Sequence, residues 1–301
     1  MKGIILAGGA GTRLYPLTIV TSKQLLPVYN KPMIYYPLST LMLSKIREVL
    51  IISTPEDTPR ISQLLGDGSQ LGMKLEYAVQ DKPEGLAQAF TIGKDFIGDD
   101  SCAMILGDNI FYGNGLNAKL SAAKRAAESG KATIFGYYVE DPERFGIMEF
   151  RKASDDKDTG LEVLSVEEKP ENPKSNYAIV GLYYYPAGVS EMAAKVKPSP
   201  RGELEITTLN DMYLKEGLLH AQLLGRGFTW MDAGTIDSLR RATNFVCMIE
   251  QYQGMSISAP EEIAYLYEWI DRQQLAESAA RYGNSPYGKH LKAVLDDRVI
   301  I

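Results

Sequence analysis

The apolar run Ile4-Ile5-Leu6-Ala7, followed at once by Gly8-Gly9-Ala10-Gly11-Thr12-Arg13, constrains this chain more than any other stretch. Four apolar residues bounded by glycines predict a buried parallel strand that stops at a tight loop. Glycine at three of four positions lets the backbone approach a ligand and aim successive N–H groups at an anion. Arg13 adds a planar fork of donors suited to phosphate oxygens, and Ser22-Lys23-Gln24 puts a second cation in the same unit. From the glycines alone, a turn that merely joins strand to helix reads equally well. Two common phosphate motifs are excluded. Leu14 stands where a dinucleotide fingerprint has its last glycine, and no Gly-Lys-Ser/Thr closes a Walker loop.

Beyond this loop, short apolar runs alternate with amphipathic stretches, which predicts an α/β fold with a mostly parallel central sheet and helices on both faces. Strands are expected at 48–53, 75–80, 103–106 and 132–137, with helices at 32–44, 61–65 and 119–130. From Arg144 the pattern becomes antiparallel: 145–150 and 161–170 alternate, joined by a polar tip at 152–160, and 177–185 is a further strand rich in tyrosine. Residues 200–207 lead into a helix, and 228–235 form a strand that carries Asp232. The adjacent Glu167 and Glu168 should face opposite sides of their strand.

The C-terminal part reads as helical. Ser258 and Glu261 predict a capping box with Pro260 in the first turn, and Ile263, Leu266, Tyr267 and Ile270 form an apolar stripe. That stripe must be covered, and the chain's own core is one way to cover it. Residues 283–290 imitate Walker spacing by coincidence. The expected division is a core at 1–242, whose pattern changes near 140, and a helical segment at 243–301.

Composition removes several classes of function. A formal net charge of −6 argues against a broad nucleic-acid surface. His220 and His290 are the two histidines, so neither a His-rich metal site nor a Ser-His-Asp triad is expected. Cys102 and Cys247 lie in apolar settings and read as buried thiols, which suits the cytoplasm. No run approaches the ~18 apolar residues needed to cross a bilayer, and no signal peptide is expected ahead of Met1. Ligands of open α/β sheets sit beyond the carboxyl ends of strands, where Gly8–Arg13, residues 80–85 and Asp108 would lie. Asp108 there suits a hard cation, although a lone aspartate at such a place is more often a turn residue or helix N-cap.

The strings G-G-x-G-T-R-L-x-P-x-T, S-K-Q-L-L-P, L-G-D-N, P-E-R-F-G, E-E-K-P, G-E-L-E-I-T and W-x-D-x-G-T follow in an order that resembles the sugar-phosphate nucleotidyltransferases. The resemblance runs over roughly residues 1–295. It implies a nucleotide-diphospho-sugar transferase fold, a catalytic core at 1–242 with a nucleotide half to about 140 and a sugar-phosphate part to 242, and in-line attack of a sugar phosphate on a nucleotide α-phosphorus. Such a reaction needs positioning and charge stabilisation but no nucleophilic side chain. K-P-M-I-Y-Y-P-L-S-T, D-G-S-Q-L-G and P-E-G-L-A-Q-A-F resemble the branch that joins dTTP and glucose 1-phosphate into dTDP-glucose and pyrophosphate, the first step toward dTDP-rhamnose-type sugars and polysaccharide.

Carried onto this sequence, the resemblance makes Arg13 and Lys23 catalytic and has Asp108 and Asp232 hold Mg²⁺. Leu6, Gly8, Gly9, Gly11, Thr12, Arg13, Gln24, Gln80, Pro83, Gly85 and Asp108 would bind the nucleotide, with Gln80 able to offer a thymine edge both a donor and an acceptor. Asn109, Gly146, Glu168, Lys169, Ile179 and Arg201 would bind the sugar phosphate; by themselves Lys169 and Arg201 read as surface cations. A homotetramer, with the 263–270 stripe as a subunit contact, and feedback inhibition by a dTDP-sugar are implied as well; charge and hydropathy already argue against nucleic acid or membrane as a partner. The alternatives are a uridylyltransferase that makes UDP-glucose and a catalytically silent subunit that binds sugar nucleotides.

Overall fold

The fold comes from a computed structural model, which describes residues 1–9, 11–152 and 161–298 of the 301. It is mixed α/β, with a mostly parallel central sheet flanked by helices. The polar tip expected at 152–160 falls, but for Lys152, outside the described residues, as does Ala10 of the glycine loop.

Lys2–Leu6 is the central strand. It pairs in parallel with Glu48–Ser53 on one side and Cys102–Leu106 on the other, with Leu6 opposite both Ile52 and Leu106. Lys74–Val79 extends the parallel set beyond Glu48–Ser53. The chain thus adds strands to one side of Lys2–Leu6 and then crosses to the other. That reversal of direction leaves a crevice between the carboxyl ends of Lys2–Leu6 and Cys102–Leu106. Both faces of these strands are covered, which is why Ile4, Ile5, Leu6 and Ala7 are all buried and the run shows no polar alternation. Ile5 and Ala7 pack with Leu38 and Leu41 of the helix Tyr35–Leu43, while Ile4 and Leu6 pack with Phe90 and Ala89 on the opposite face.

Beyond Cys102–Leu106 the sheet turns antiparallel. Tyr177–Tyr185 pairs with Cys102–Leu106, and Gly146–Lys152 pairs with Leu161–Glu168, as the alternation predicts. Tyr183, Tyr184 and Tyr185 are all buried, and Tyr184 and Tyr185 are packing residues. Glu167 pairs outward with Lys174 at 2.5 Å, whereas Glu168 turns inward to Thr207, so the two carboxylates do part.

Phe228–Asp232 is a strand, but not of the main sheet. It forms a separate ribbon with Asn109–Gly113, a strand not anticipated from sequence, in a register that sets Asp232 opposite Asn109. A further bond from the Ala233 N–H to the Asp108 carbonyl (3.0 Å) ties the two aspartate-bearing ends together.

The expected capping box at Ser258 does not form. Ser258 adopts φ +56°, the helix Pro260–Leu266 starts from Ala259 without a side-chain cap, and Pro260 does open the first turn. The Glu261 carboxylate instead accepts the hydroxyls of Tyr282 (2.8 Å) and Tyr287 (2.5 Å) from the two following helices. Tyr287 is buried and Tyr282 half-buried, and together they occupy the buried Glu261 carboxylate. The apolar stripe divides as well: Ile263 and Ile270 enter the chain's own core, while the helix stops at Leu266, which stays exposed. Cys102 is buried and Cys247 half-buried, both free. No helix among the described residues is long and apolar enough to cross a membrane.

Candidate active site

Two clefts meet at the crevice. The first, about 370 Å³, is lined by Leu6, Gly8, Gly9, Arg13, Lys23, Gln24, Gln80, Pro83, Gly85 and Asp108, all expected from sequence, and also by Leu86, Leu106 and Glu203. The second, about 270 Å³, contains Asn109, Gly146, Glu168, Lys169, Ile179 and Asp232 together with Tyr183, Glu205, Thr207 and Trp230. Arg13, Leu86, Leu106, Asp108 and Glu203 border both. Gly11 and Thr12 line neither. Gly11 instead closes the loop with φ +58°, its carbonyl accepting the Thr18 hydroxyl at 2.7 Å.

Glycine is needed at one of these positions and permits a close contact at another. A Cβ on Gly8 would overlap Oε1 of Gln80, so the Gly8 backbone lies directly against the Gln80 side chain. Gly85 has φ +123°, and a Cβ there would overlap the backbone of Leu204. Backbone hydrogen bonds from Leu204 to Glu84 (2.6 Å) and from Ala87 to Leu204 (3.1 Å) hold this loop against the second half of the chain.

Where the clefts meet, Asp108 and Asp232 lie side by side. Asp108 ion-pairs with Lys23 and accepts from the Asn109 amide at 2.8 Å. Burial favours its acid form most strongly, yet the charge and hydrogen bond of Lys23, with Asn109, outweigh it and hold the carboxyl below its ordinary value. Asp232 goes the other way: burial, then the charge of Asp108, push it up to about 6. Its Oδ1 is buried without a hydrogen-bond partner. Asn109 is committed to its neighbours, its Oδ1 accepting from Trp230 Nε1 (2.6 Å) and the Gly181 N–H (3.1 Å). It therefore orients Asp108. No group of three or more His, Cys, Asp or Glu suited to a metal occurs among the described residues. Two adjacent carboxylates with an orphaned oxygen nonetheless fit Mg²⁺, which takes one or two carboxylates and completes its shell with water and substrate phosphates.

The far wall is held by Glu168, whose Oε2 accepts from the Thr207 hydroxyl at 2.5 Å. Lys169 follows with φ +44°, a left-handed backbone that non-glycine residues adopt at a cost of about 1–3 kcal/mol, fixed by its N–H to the Phe145 carbonyl (3.0 Å). Arg201 does not line the cleft. Its guanidinium lies 3.1 Å from Glu203, 3.4 Å from Glu168 and 3.6 Å from Glu205, so it sets acids rather than facing a ligand directly. Glu203, Glu205, Thr207 and Trp230 escaped the sequence reading as site residues, although G-E-L-E-I-T and W-x-D-x-G-T contain them.

The arrangement offers backbone donors and two cations to a polyphosphate beside a carboxylate pair. Residues 2–248 match the model of the nucleotidyl transferase family. The chain belongs to that family. A glucose-1-phosphate thymidylyltransferase of Xanthomonas campestris pv. campestris (strain B100) is 55% identical over 293 residues, covering 97% of this chain and 96% of the relative. One of Neisseria gonorrhoeae is 52% identical over 291 residues, covering 97% and 98%. The structure of a UDP-glucose pyrophosphorylase complexed with UDP-glucose superposes with a TM-score of 0.71 at 21% identity, covering 82% of this chain and 98% of that one, which bears on the fold alone. For a nucleotidyl transferase, the reversal point of the sheet is where the nucleotide is expected, and the first cleft lies there.

Proposed function

We propose that this nucleotidyl transferase moves a thymidylyl group from dTTP to glucose 1-phosphate, releasing pyrophosphate. One observation carries the reading: the glycine-loop cleft and the Lys169 cleft meet at Arg13 and Asp108. Two phosphorylated substrates can then face each other across one α-phosphate. The names of the relatives supply the substrates.

Asp108 and Asp232 would hold Mg²⁺. When bound, the ion offsets charge on the α-phosphate oxygens. The chain's own residues do the rest by orientation. Gly8, Gly9 and Arg13 take the β,γ-phosphates, and Lys23, paired with Asp108, stands beside the α-phosphate. Gln80 meets the base, Glu168 the sugar hydroxyls, and Lys169 the attacking phosphate, with Arg201 acting through Glu168. Aligning two bound reactants in this way removes much of the entropic barrier. A homotetramer with feedback by a dTDP-sugar belongs to the same reading. Exposed Met248, Tyr252 and Met255 offer an apolar surface for self-association.

The two cations separate experimentally. Lys169→Ala should raise KM for glucose 1-phosphate by about 10- to 100-fold, the size of one lost charge-assisted contact, and leave dTTP binding nearly unchanged. Arg13→Ala should weaken dTTP and lower kcat. Steady-state pyrophosphate release with each substrate varied measures both. A collapse of dTTP affinity in Lys169→Ala would assign the clefts the other way round.

A further inference from the structure

Gln80 does not stand alone at the base of the first cleft. It follows the strand Lys74–Val79 and is buried, and its Oε1 lies against Gly8. Its Nε2 donates to Oε1 of Gln88 at 2.6 Å. Gln88 opens the short helix Gln88–Ile92 and is fixed by a single residue, Glu84, through two bonds of opposite sense. The Glu84 backbone N–H donates to Gln88 Oε1 (3.1 Å), and Gln88 Nε2 donates to the Glu84 carboxylate (2.9 Å).

A carboxylate accepts and cannot donate, while a backbone N–H donates and cannot accept. Together they leave the Gln88 amide one orientation, with its oxygen toward Gln80. An oxygen facing Gln80 in turn demands the Gln80 NH₂ group. The Gln80 carbonyl is therefore turned toward the Gly8 side, where the cleft lies.

We propose that Glu84 and Gln88 are positioning residues that set the base preference of this cleft by fixing the polarity of the Gln80 amide. The proposal rests on the functional reading above. Thymine and uracil present an N3–H donor beside a ring carbonyl. A fixed Gln80 meets that edge with its carbonyl oxygen and its second N–H. Cytosine presents an N3 acceptor beside an amine, so the amide would have to turn over. Its oxygen would then face the Gln88 oxygen at hydrogen-bonding distance, two acceptors with no proton between them. Rejection of cytosine thus resides in two residues that need not touch the base.

The test is the ratio of kcat/KM for dTTP to that for dCTP, measured by pyrophosphate release with glucose 1-phosphate. Gln88→Leu keeps the bulk but frees the Gln80 amide. Its ratio should fall by about tenfold or more, the size expected when one buried polar mismatch is relieved, chiefly because dCTP improves. The exchange Glu84→Gln with Gln88→Glu again presents an acceptor to Gln80, supported by a donor at position 84, and should restore the ratio. Loss in Gln88→Leu with recovery in the exchange supports the relay. A Gln88→Leu variant that retains the native ratio, whether fully active or equally weakened with both nucleotides, overturns it and leaves a packing role. If Gln88→Leu fails to fold, the exchange variant decides, and a folded exchange variant without base discrimination overturns the relay. A native chain that releases no pyrophosphate from dTTP overturns the functional reading, and the relay with it.

Discussion

Asparagine in place of either Asp108 or Asp232 should lower turnover by about 100- to 1000-fold while the fold survives. Size is kept and the charge that would hold Mg²⁺ is lost; removing one preorganised electrostatic contact to developing charge costs roughly 3–4 kcal/mol. Stability should move the other way for Asp232. Its carboxyl rises from 3.8 to about 6, so the folded chain holds the proton to higher pH than the unfolded one. The contribution of that proton is complete below the ordinary carboxyl value and is lost as pH rises through about 6. Above that pH, with a chelator present, Asp232→Asn lacks the repulsion from Asp108 and should melt at or above the native temperature. Near-native turnover of both variants at low Mg²⁺ would contradict the assignment.

The largest loss of stability is expected at a site remote from the clefts. Lys31 is buried, and its ammonium donates to Glu250 (2.8 Å) and to the Asn30 side chain (2.8 Å), with the Tyr36 ring 5.1 Å away. Glu250 also accepts from Asn30 Nδ2 (2.8 Å) and the Ile257 N–H (2.8 Å). This network fastens the helix Ile236–Gln253 to the short hairpin that carries Lys31. Lys31→Met strands a buried carboxylate and should cost about 3–5 kcal/mol in urea unfolding, much of it recovered when Glu250→Leu is added. A loss below about 1 kcal/mol would mean that water reaches Glu250 freely.

How much was legible follows from how local each signal is. The strand Lys2–Leu6, the loop after it and Asp108 at the end of Cys102–Leu106 announce themselves within a few residues, because burial on both faces and glycine conformation leave marks in the sequence itself. The convergence of Asp108 with Asp232 depends on the ribbon Asn109–Gly113 with Phe228–Asp232, a pairing between segments more than a hundred residues apart. No local pattern encodes it; only the resemblance placed both aspartates together. Ser258 and Glu261 have capping-box spacing, but tyrosines from later helices compete for the same carboxylate. Arg201 has the right charge for a phosphate clamp, yet Glu203 and Glu205, two and four residues on, engage it first. Gln88 lies inside a quoted motif and still gave no hint of its partners, because amide orientation is a property of the assembled network.

The measurement that tests the account most directly is pyrophosphate release by the purified chain across a matrix of nucleoside triphosphates and sugar 1-phosphates in Mg²⁺. Fastest release is predicted with dTTP and glucose 1-phosphate. UTP should be usable but about 10- to 100-fold poorer, since it lacks one methyl contact worth ~1–3 kcal/mol. CTP should be poorer still, and no release is expected with either substrate omitted. Release that favours UTP over dTTP, or none with any pair, would contradict the central claim.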